Sequence, residues 1–362
     1  MTLLNHRVLI AGATAIVALC VWFLLSWILF LRAPLVSDDQ GLKYVIPEGS
    51  SIHYVIHDLY LLNVIKHPYL FSLLVTLRHD QHLLKAGEYL FPKGVTAPRL
   101  LDQITTGSGM VYHTFTIVAG WSFKHLRRVM DKNPDLQHSS QLSNADIMAK
   151  LGHPGVDPEG WFYPDTYFFM KGSSDIALLK RALRMMETKL DEAWKQREPG
   201  LPYKTPYDAL IAASLIEKET GIEQERAWIA GVIVNRLRKD MLLQIDPTVI
   251  YDVGARFDGK IYKEDLLRNT PHNTYFHKGL PPTPIAIPSM DSIIAALHPK
   301  HHDYIYFVAK GDADSEHQFS RTFKEHSEAI IQAKKRKYRP TYFNSNLVRY
   351  YFMKMALTKL YN

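Results

Sequence analysis

Thr205-Pro206-Tyr207-Asp208-Ala209-Leu210-Ile211-Ala212-Ala213-Ser214-Leu215-Ile216-Glu217-Lys218-Glu219-Thr220-Gly221 carries the start and stop signals of one helix. Thr205 is a capping residue, Pro206 fits the first helical position and Asp208 the third, while Thr220-Gly221 ends the run. At about 100° per residue, Ala212, Leu215, Ile216 and Glu219 fall within one apolar arc. Glu217 falls on the far side, beside Leu210 and Ser214. The periodicity therefore predicts that Glu219, not Glu217, projects from the buried stripe. A carboxyl there must be paired, neutral or lining a cleft. Burial disfavours its ionised form, which suits a general acid working near neutrality. An ion pair with Arg226 or Arg236, on the next helical stretch, is the competing reading.

Outward from this helix, Ile176–Trp194 is helical by the spacing of Leu178, Leu179, Ala182 and Leu183. Gly279–Pro288 is too rich in Pro and Gly for a helix or central strand and reads as a loop. Tyr304–Ala309 is aromatic and β-branched, and reads as a strand. Thr114–Val118 followed by Ala119–Ser122 is a strand-turn-helix entry, taken as the start of a main domain covering residues 113–333. Before it, residues 35–112 form a smaller unit. Lys43–Ile46 and Ala86–Phe91 are its strands, with helical patterning through Ile52–Leu62 and Pro68–Leu77 and from Thr96 to Gly107. The predicted class is α+β. His53 and His57 lie four apart on one helical face, and His298, His301 and His302 cluster beside Pro299. Neither group has a convincing ligand set, so solvated histidines explain both and no metal is expected.

Val8 to Leu31 contains no charged residue and is bounded by Arg7 and Arg32. That length spans a hydrocarbon core of ~30 Å, and no small-residue cleavage site follows it. Residues 1–34 therefore read as a short stub and an uncleaved transmembrane anchor. The flanking charges favour an N-in orientation, which puts everything after residue 35 on the non-cytoplasmic side.

The formal net charge of the 362 residues is +7, but eight Lys and Arg and no acid lie after residue 333. The rest is close to neutral, which removes the case for nucleic-acid binding. Residues 334–362 form a basic extension, for which a solvated tail is the simplest reading. The single cysteine, Cys20, lies inside the apolar run and permits no intramolecular disulfide.

Several blocks occur in an order that resembles the endolytic murein transglycosylases, the YceG-like or MltG family. They are Glu159–Thr166, Glu217-Lys218-Glu219-Thr220, Asn235-Arg236-Leu237, Leu243–Tyr251, Asn273-Thr274-Tyr275, Gly279-Leu280-Pro281-Pro282 and Tyr306–Gly311. The resemblance runs from the anchor to about residue 333. It implies a single-pass bacterial inner-membrane protein with a LysM-like module and a periplasmic catalytic domain. Two departures stand out: Ile287-Pro288-Ser289 replaces an Asn-Pro-Gly-like turn of many relatives, and the basic extension follows the last helix.

The resemblance makes Glu219 the catalytic residue, in agreement with the helical wheel. It implies endolytic cleavage of the MurNAc–GlcNAc bond in nascent peptidoglycan, leaving a 1,6-anhydroMurNAc end and terminating strand elongation. This lyase reaction needs no cofactor and no second catalytic carboxyl. Gln244, Asp246, Tyr251, Asn273, Thr274 and Tyr275 offer the amide, hydroxyl and aromatic groups that suit sugar contacts. Asp246 precedes a proline and also reads as a turn residue; Glu159 and Asp165 read equally as functional or structural. The expected partners are glycan strands, the inner membrane and, by family analogy alone, peptidoglycan synthases. Two other readings stay open: a hydrolytic muramidase using Glu219 with Asp246, and a non-catalytic, membrane-tethered peptidoglycan-binding scaffold.

Overall fold

The computed structural model describes residues 2–311 and 316–337. Two compact units divide the chain. The first contains residues up to Thr114 together with Phe168–Gly172. The second contains Phe115–Tyr167 and the chain from Ser173 onward. Most of the basic extension lies outside the described residues.

The first unit begins with helix α1 (Thr2–Arg32), of which Ile10–Arg32 is long and apolar enough to cross a membrane. Strand β1 (Leu42–Ile46) leads to α2 (Ile52–Leu61), α3 (Pro68–Arg78), β2 (Gly87–Phe91) and α4 (Ala97–Thr106). Ser51 caps α2 by accepting from the Tyr54 amide, and Ile52, Val55, Ile56 and Leu59 form its buried face. α3 opens at Pro68 and stops at His79, and α4 stops at Gly107; both stops are left-handed. β1 and β2 pair antiparallel, from Leu42 opposite Phe91 to Ile46 opposite Gly87. This register puts Tyr44, Tyr89 and Phe91 in contact at the core of a β-α-α-β unit. The Tyr44 hydroxyl leaves the core to donate to Asp58 at 2.7 Å.

β3 (His113–Thr116) and β5 (Thr166–Phe169) each cross the division between the units, and α5 (Phe123–Met130), β4 (Leu136–Gln137), α6 (Asn144–Leu151) and β6 (Ser173–Ser174) belong to the second. There follow α7 (Asp175–Lys195), α8 (Pro206–Glu219), α9 (Glu223–Arg238), α10 (Asp246–Val253), α11 (Lys263–Leu266) and α12 (Met290–Leu297). The hairpin β7 (Tyr306–Ala309) and β8 (His317–Ser320) and the helix α13 (Phe323–Lys337) complete it. β3 pairs with β5, β4 is parallel to β6, and β7 is antiparallel to β8. The mixture of small sheets and packed helices is α+β, as the sequence predicts.

α8 is the axis of this unit. The Thr205–Asp208 capping box predicted from sequence is present. However, every residue from Ala209 to Ile216 is buried, so there is no solvent face. The wheel argument assumed an amphipathic helix and fails for that reason. Ala209, Ala212 and Ala213 are small enough to admit α9 and α12 closely on different sides, and α7 closes the cluster. Asp246 departs from expectation too, because it is the first residue of α10. Pro247 lacks only an amide that the first turn of a helix leaves unpaired anyway.

Candidate active site

Glu217 and Glu219 leave α8 where its burial ends, and both are half-buried. Glu217 does not face solvent. Its Oε2 accepts from the Ser289 amide at 3.0 Å, the Ser289 hydroxyl at 2.5 Å and the Ser292 hydroxyl at 2.7 Å. Ser289 also caps α12 through the Ser292 amide. Glu217 thus ties α8 to the start of α12, and this chain's Ser289 supplies two of the donors.

Glu219 is the last residue of α8, followed by an extended Thr220. The Thr220 hydroxyl donates to Glu225 at 3.3 Å and accepts from the Ile222 amide at 3.0 Å. Glu225 is buried in the first turn of α9 and receives the amide and ring Nδ1 of His317 on β8 at 2.6 and 2.7 Å. The α8–α9 corner is therefore locked from three directions.

Arg236 reaches the same neighbourhood from α9. It is 7% exposed, with Nε donating to the Ile305 carbonyl at 2.6 Å and Nη1 to the carbonyls of Leu242 and Leu243 at 3.0 and 2.9 Å. Burial lowers its pKa from the ordinary arginine value, while Tyr306, Tyr275 and Glu219 act in the opposite sense. Arginine keeps its charge in proteins, so this is a fixed buried cation within electrostatic reach of Glu219. Arg226 pairs instead with Asp291 at 3.4 Å.

Arg236 also aims at Gln244, whose Oε1 lies 3.4 Å from Nη1. Gln244 has φ of 51°, a left-handed conformation uncommon for glutamine. Its amide donates to the Thr274 carbonyl at 3.0 Å. Asp246 follows at the start of α10, and its Oδ1 accepts the Tyr275 hydroxyl.

Beneath these groups, Asn273 and Thr274 are 0% and 1% exposed. Asn273 Nδ2 donates to the carbonyls of Asp265, Leu266 and Arg268, and its Oδ1 accepts from the Tyr275 amide. Thr274 Oγ1 accepts from the Ile245 amide at 2.9 Å and meets the Thr248 hydroxyl at 3.0 Å. Their polar atoms are engaged in holding the loop that carries Tyr275 against the chain that carries Gln244 and Asp246.

The last predicted residue, Tyr251, sits near the other end of α10. Its hydroxyl donates to Oε2 of Glu159 at 3.0 Å, and its ring meets His272 edge-on at 4.8 Å. Glu159 is buried, accepts also from the Phe123 amide, and has its pKa pushed up to about 7 by desolvation. Next to it Gly160 has φ of 81°, and a Cβ there would meet Pro284 at 2.6 Å. Asp165 stays at the β3–β5 junction, where its carbonyl accepts from Ile117. The Gly279–Pro288 loop is ordered along α8, with Ile285 donating to Ser214 and Ile287 to the Trp121 carbonyl.

The other singled-out histidines go to separate duties. His301 pairs with Glu198, and His302 stacks on Trp228 with ring planes 9° apart. His53 and His57 are exposed. Among the described residues, Asp131, His138 and Asp175 come close enough to share an ion. Asp175 already accepts from the amide and hydroxyl of Ser139. The residues that sequence reasoning missed are Glu225 and His317. They are 92 positions apart, and neither lies in a motif with a spacing signal.

The assembled groups are a half-buried carboxyl at a helix end, a buried cation and a phenol–carboxylate pair. A carboxyl in such a set can exchange a proton with a bound ligand, with a fixed positive charge within electrostatic reach. A sequence model described as the YceG-like family matches residues 44–332. An endolytic murein transglycosylase of Bacillus subtilis is 32% identical over 325 residues, covering 83% of this chain and 87% of that protein. One from Streptococcus pneumoniae D39 is 28% identical over 315 residues, covering 75% of this chain and 55% of that longer protein. The crystal structure of a YceG-like protein from Listeria monocytogenes superimposes with a TM-score of 0.51 at 30% identity. It covers 80% of this chain and 99% of the other.

Proposed function

The chain belongs to the YceG-like family, and from that premise we propose that it is an endolytic murein transglycosylase in which Glu219 performs the chemistry alone. The observation that carries this reading is the position of Glu219, half-buried as the last residue of α8 at a corner tied by Thr220, Glu225 and His317. In the first step the Glu219 carboxyl protonates the oxygen linking C1 of N-acetylmuramic acid to N-acetylglucosamine, and the C1–O bond breaks. The resulting Glu219 carboxylate then takes the proton from the muramyl C6 hydroxyl as that oxygen closes onto C1. One proton leaves and returns, no water is consumed, and the product ends in 1,6-anhydroMurNAc.

Two-carboxylate hydrolysis needs a second carboxyl as base or nucleophile. Asp246 accepts the Tyr275 hydroxyl, which favours the single-carboxyl reading over a muramidase. Gln244 and Asp246 are assigned to the sugar, and buried Tyr275 to holding Asp246 toward it. Asn273 and Thr274 are assigned to holding those residues in register. Tyr251 is assigned to the junction between α10 and the Glu159 block.

The reading extends to the rest of the chain. α1 anchors the protein in the bacterial inner membrane, within residues 1–34. The catalytic domain, residues 113–333, lies in the periplasm. The β-α-α-β arrangement of residues 35–112 supports a LysM-like role in holding glycan strands. Cleavage within nascent strands terminates their elongation, which places peptidoglycan synthases as partners. Digestion of purified glycan strands followed by mass spectrometry tests the chemistry. Anhydro ends differ from reducing ends by one water, and Glu219→Gln must abolish their release. Reducing ends from the wild type would establish hydrolysis. Cutting by the variant at the wild-type rate would remove Glu219 from the mechanism.

A further inference from the structure

The joint between α1 and the first unit has no slack. Ala33 donates to the Leu29 carbonyl, Leu35 to the Val95 carbonyl, and Gly94 to the Val36 carbonyl, each at 2.8 Å. Pro34 and Thr96 form a β-bridge between the first and second of these ties. Phe30, inside the last turns of α1, is buried, and its ring meets Phe71 of α3 edge-on at 6.5 Å. Trp27 lies 5.5 Å from Phe30, and Trp27, Leu31, Leu35 and Leu70 all pack on the same core. The membrane helix is thus built into the folded unit, and the first turn of α3 sits at the level of Trp27–Phe30.

That level can be placed against a bilayer. Counting ~30 Å of hydrocarbon from Ile10 at 1.5 Å per residue reaches roughly Leu29. The Trp27–Phe30–Phe71 contacts then fall at the hydrocarbon boundary, the depth where aromatic side chains gather. α2 and α3 are consecutive and joined by residues 62–67, so the last turn of α2 and the first turn of α3 occupy one corner. This corner exposes Leu61 (62%), Leu62 (53%) and Tyr69 (89%), with Lys66 and His67 also exposed. In water, three large apolar side chains this exposed leave a patch without a partner. At a bilayer surface, Leu and Tyr enter the boundary while Lys reaches the phosphates.

We propose that the α2–α3 corner is a lipid-contacting surface that rests in the leaflet from which α1 emerges, fixing the orientation of the first unit against the membrane. The occupant is the bilayer itself, because the rigid joint brings the corner to it. The inference rests on reading α1 as a membrane anchor.

The test uses the full chain in a Cys20→Ser background, reconstituted in phosphatidylethanolamine–phosphatidylglycerol vesicles. Single cysteines at Leu19→Cys, Leu62→Cys, Tyr69→Cys and Leu83→Cys carry an environment-sensitive fluorophore. Leu83 is as exposed as Leu62 but lies past the far end of α3, roughly 15 Å along that helix. Labels at 62 and 69 should lose most of their emission to shallow doxyl lipids and be shielded from aqueous iodide. The label at 83 should show the reverse, and the label at 19 should be quenched by deep doxyl lipids. Iodide access at 62 and 69 equal to that at 83, with 19 still in lipid, overturns the proposal and leaves the anchor standing. Shielding of 62 and 69 from iodide without lipid quenching assigns the corner to protein contact and overturns it as well. If 19 is open to iodide, the anchor reading fails and the proposal falls with it.

Discussion

The hydroxyl of Tyr275 donates to Oδ1 of Asp246 across 29 positions of sequence. The carboxyl that a hydrolytic mechanism would recruit is therefore bonded to a phenol, and Glu219 is the last residue of α8, within electrostatic reach of Arg236. The two acids should respond differently to substitution. Glu219→Gln removes the proton carrier and should lower the cleavage rate at least about a hundredfold. Asp246→Asn keeps an oxygen for Tyr275 and should cost no more than about tenfold, mainly through substrate placement. The anhydro product should persist in the second variant. Equal loss in both, measured by release of strand fragments, would restore Asp246 as a catalytic partner.

Thr220 is the second position where a small change should be informative. Thr220→Val preserves shape but deletes the donor to Glu225 and the acceptor for the Ile222 amide. Leaving a buried carboxylate and an amide short of partners costs about 1–3 kcal/mol. The functional effect should appear in kcat more than in KM, because the corner fixes the acid and not the glycan. Thr220→Ser keeps the hydroxyl and should rescue most of the rate. Failure of that rescue would show that the side-chain bonds are not what holds Glu219.

The start of α8 was legible because Thr205, Pro206 and Asp208 act within one turn, and local chemistry decides a helix cap. The end was legible only in part. Periodicity separates a wet face from a dry one, but α8 has no wet face from Ala209 to Ile216, so the wheel set Glu217 apart from the buried stripe although Ser289 and Ser292 bind it. α10 was hidden because Asp-Pro opens turns and helices alike, and the bond from Tyr275 to Asp246 comes from far along the chain. Arg236 showed itself as a cation near Glu219, but its carbonyl partners lie on Leu242, Leu243 and Ile305, which no motif connects. The long apolar helix at the start of the chain was visible because its length and composition need no tertiary partner to be read.

Gly160 tests whether the Glu159 block is set by backbone geometry. Its φ of 81° and the closeness of Pro284 leave no room for a side chain. Gly160→Ala should destabilise the protein by more than about 1 kcal/mol, since strain and overlap add to each other. The Gly279–Pro288 loop runs along α8 through Ile285 and Ser214, so cleavage should fall together with thermal midpoint. A variant with an unchanged midpoint would mean that the loop yields to the methyl group without strain.

Glu159 gives a pH dependence of definite sign. Native Glu159 holds its proton up to about pH 7, because burial penalises the anion despite donors from Phe123 and Tyr251. The unfolded chain releases that proton near the ordinary glutamate value of 4.5. Between these values the native state binds more protons, so stability falls as pH rises. The contribution is fully present below about 4.5 and is lost as pH climbs through 7, a change of about 3 kcal/mol at most. Glu159→Gln cannot titrate, and its oxygen can still accept from Phe123. Urea unfolding of the full chain in micelles, at about pH 5 and about pH 8, should show a decline for the wild type that flattens in the variant. Because other groups titrate equally in both proteins, the difference between the two slopes isolates Glu159. Parallel slopes would mean that this carboxyl ionises in the folded protein as freely as in the unfolded chain.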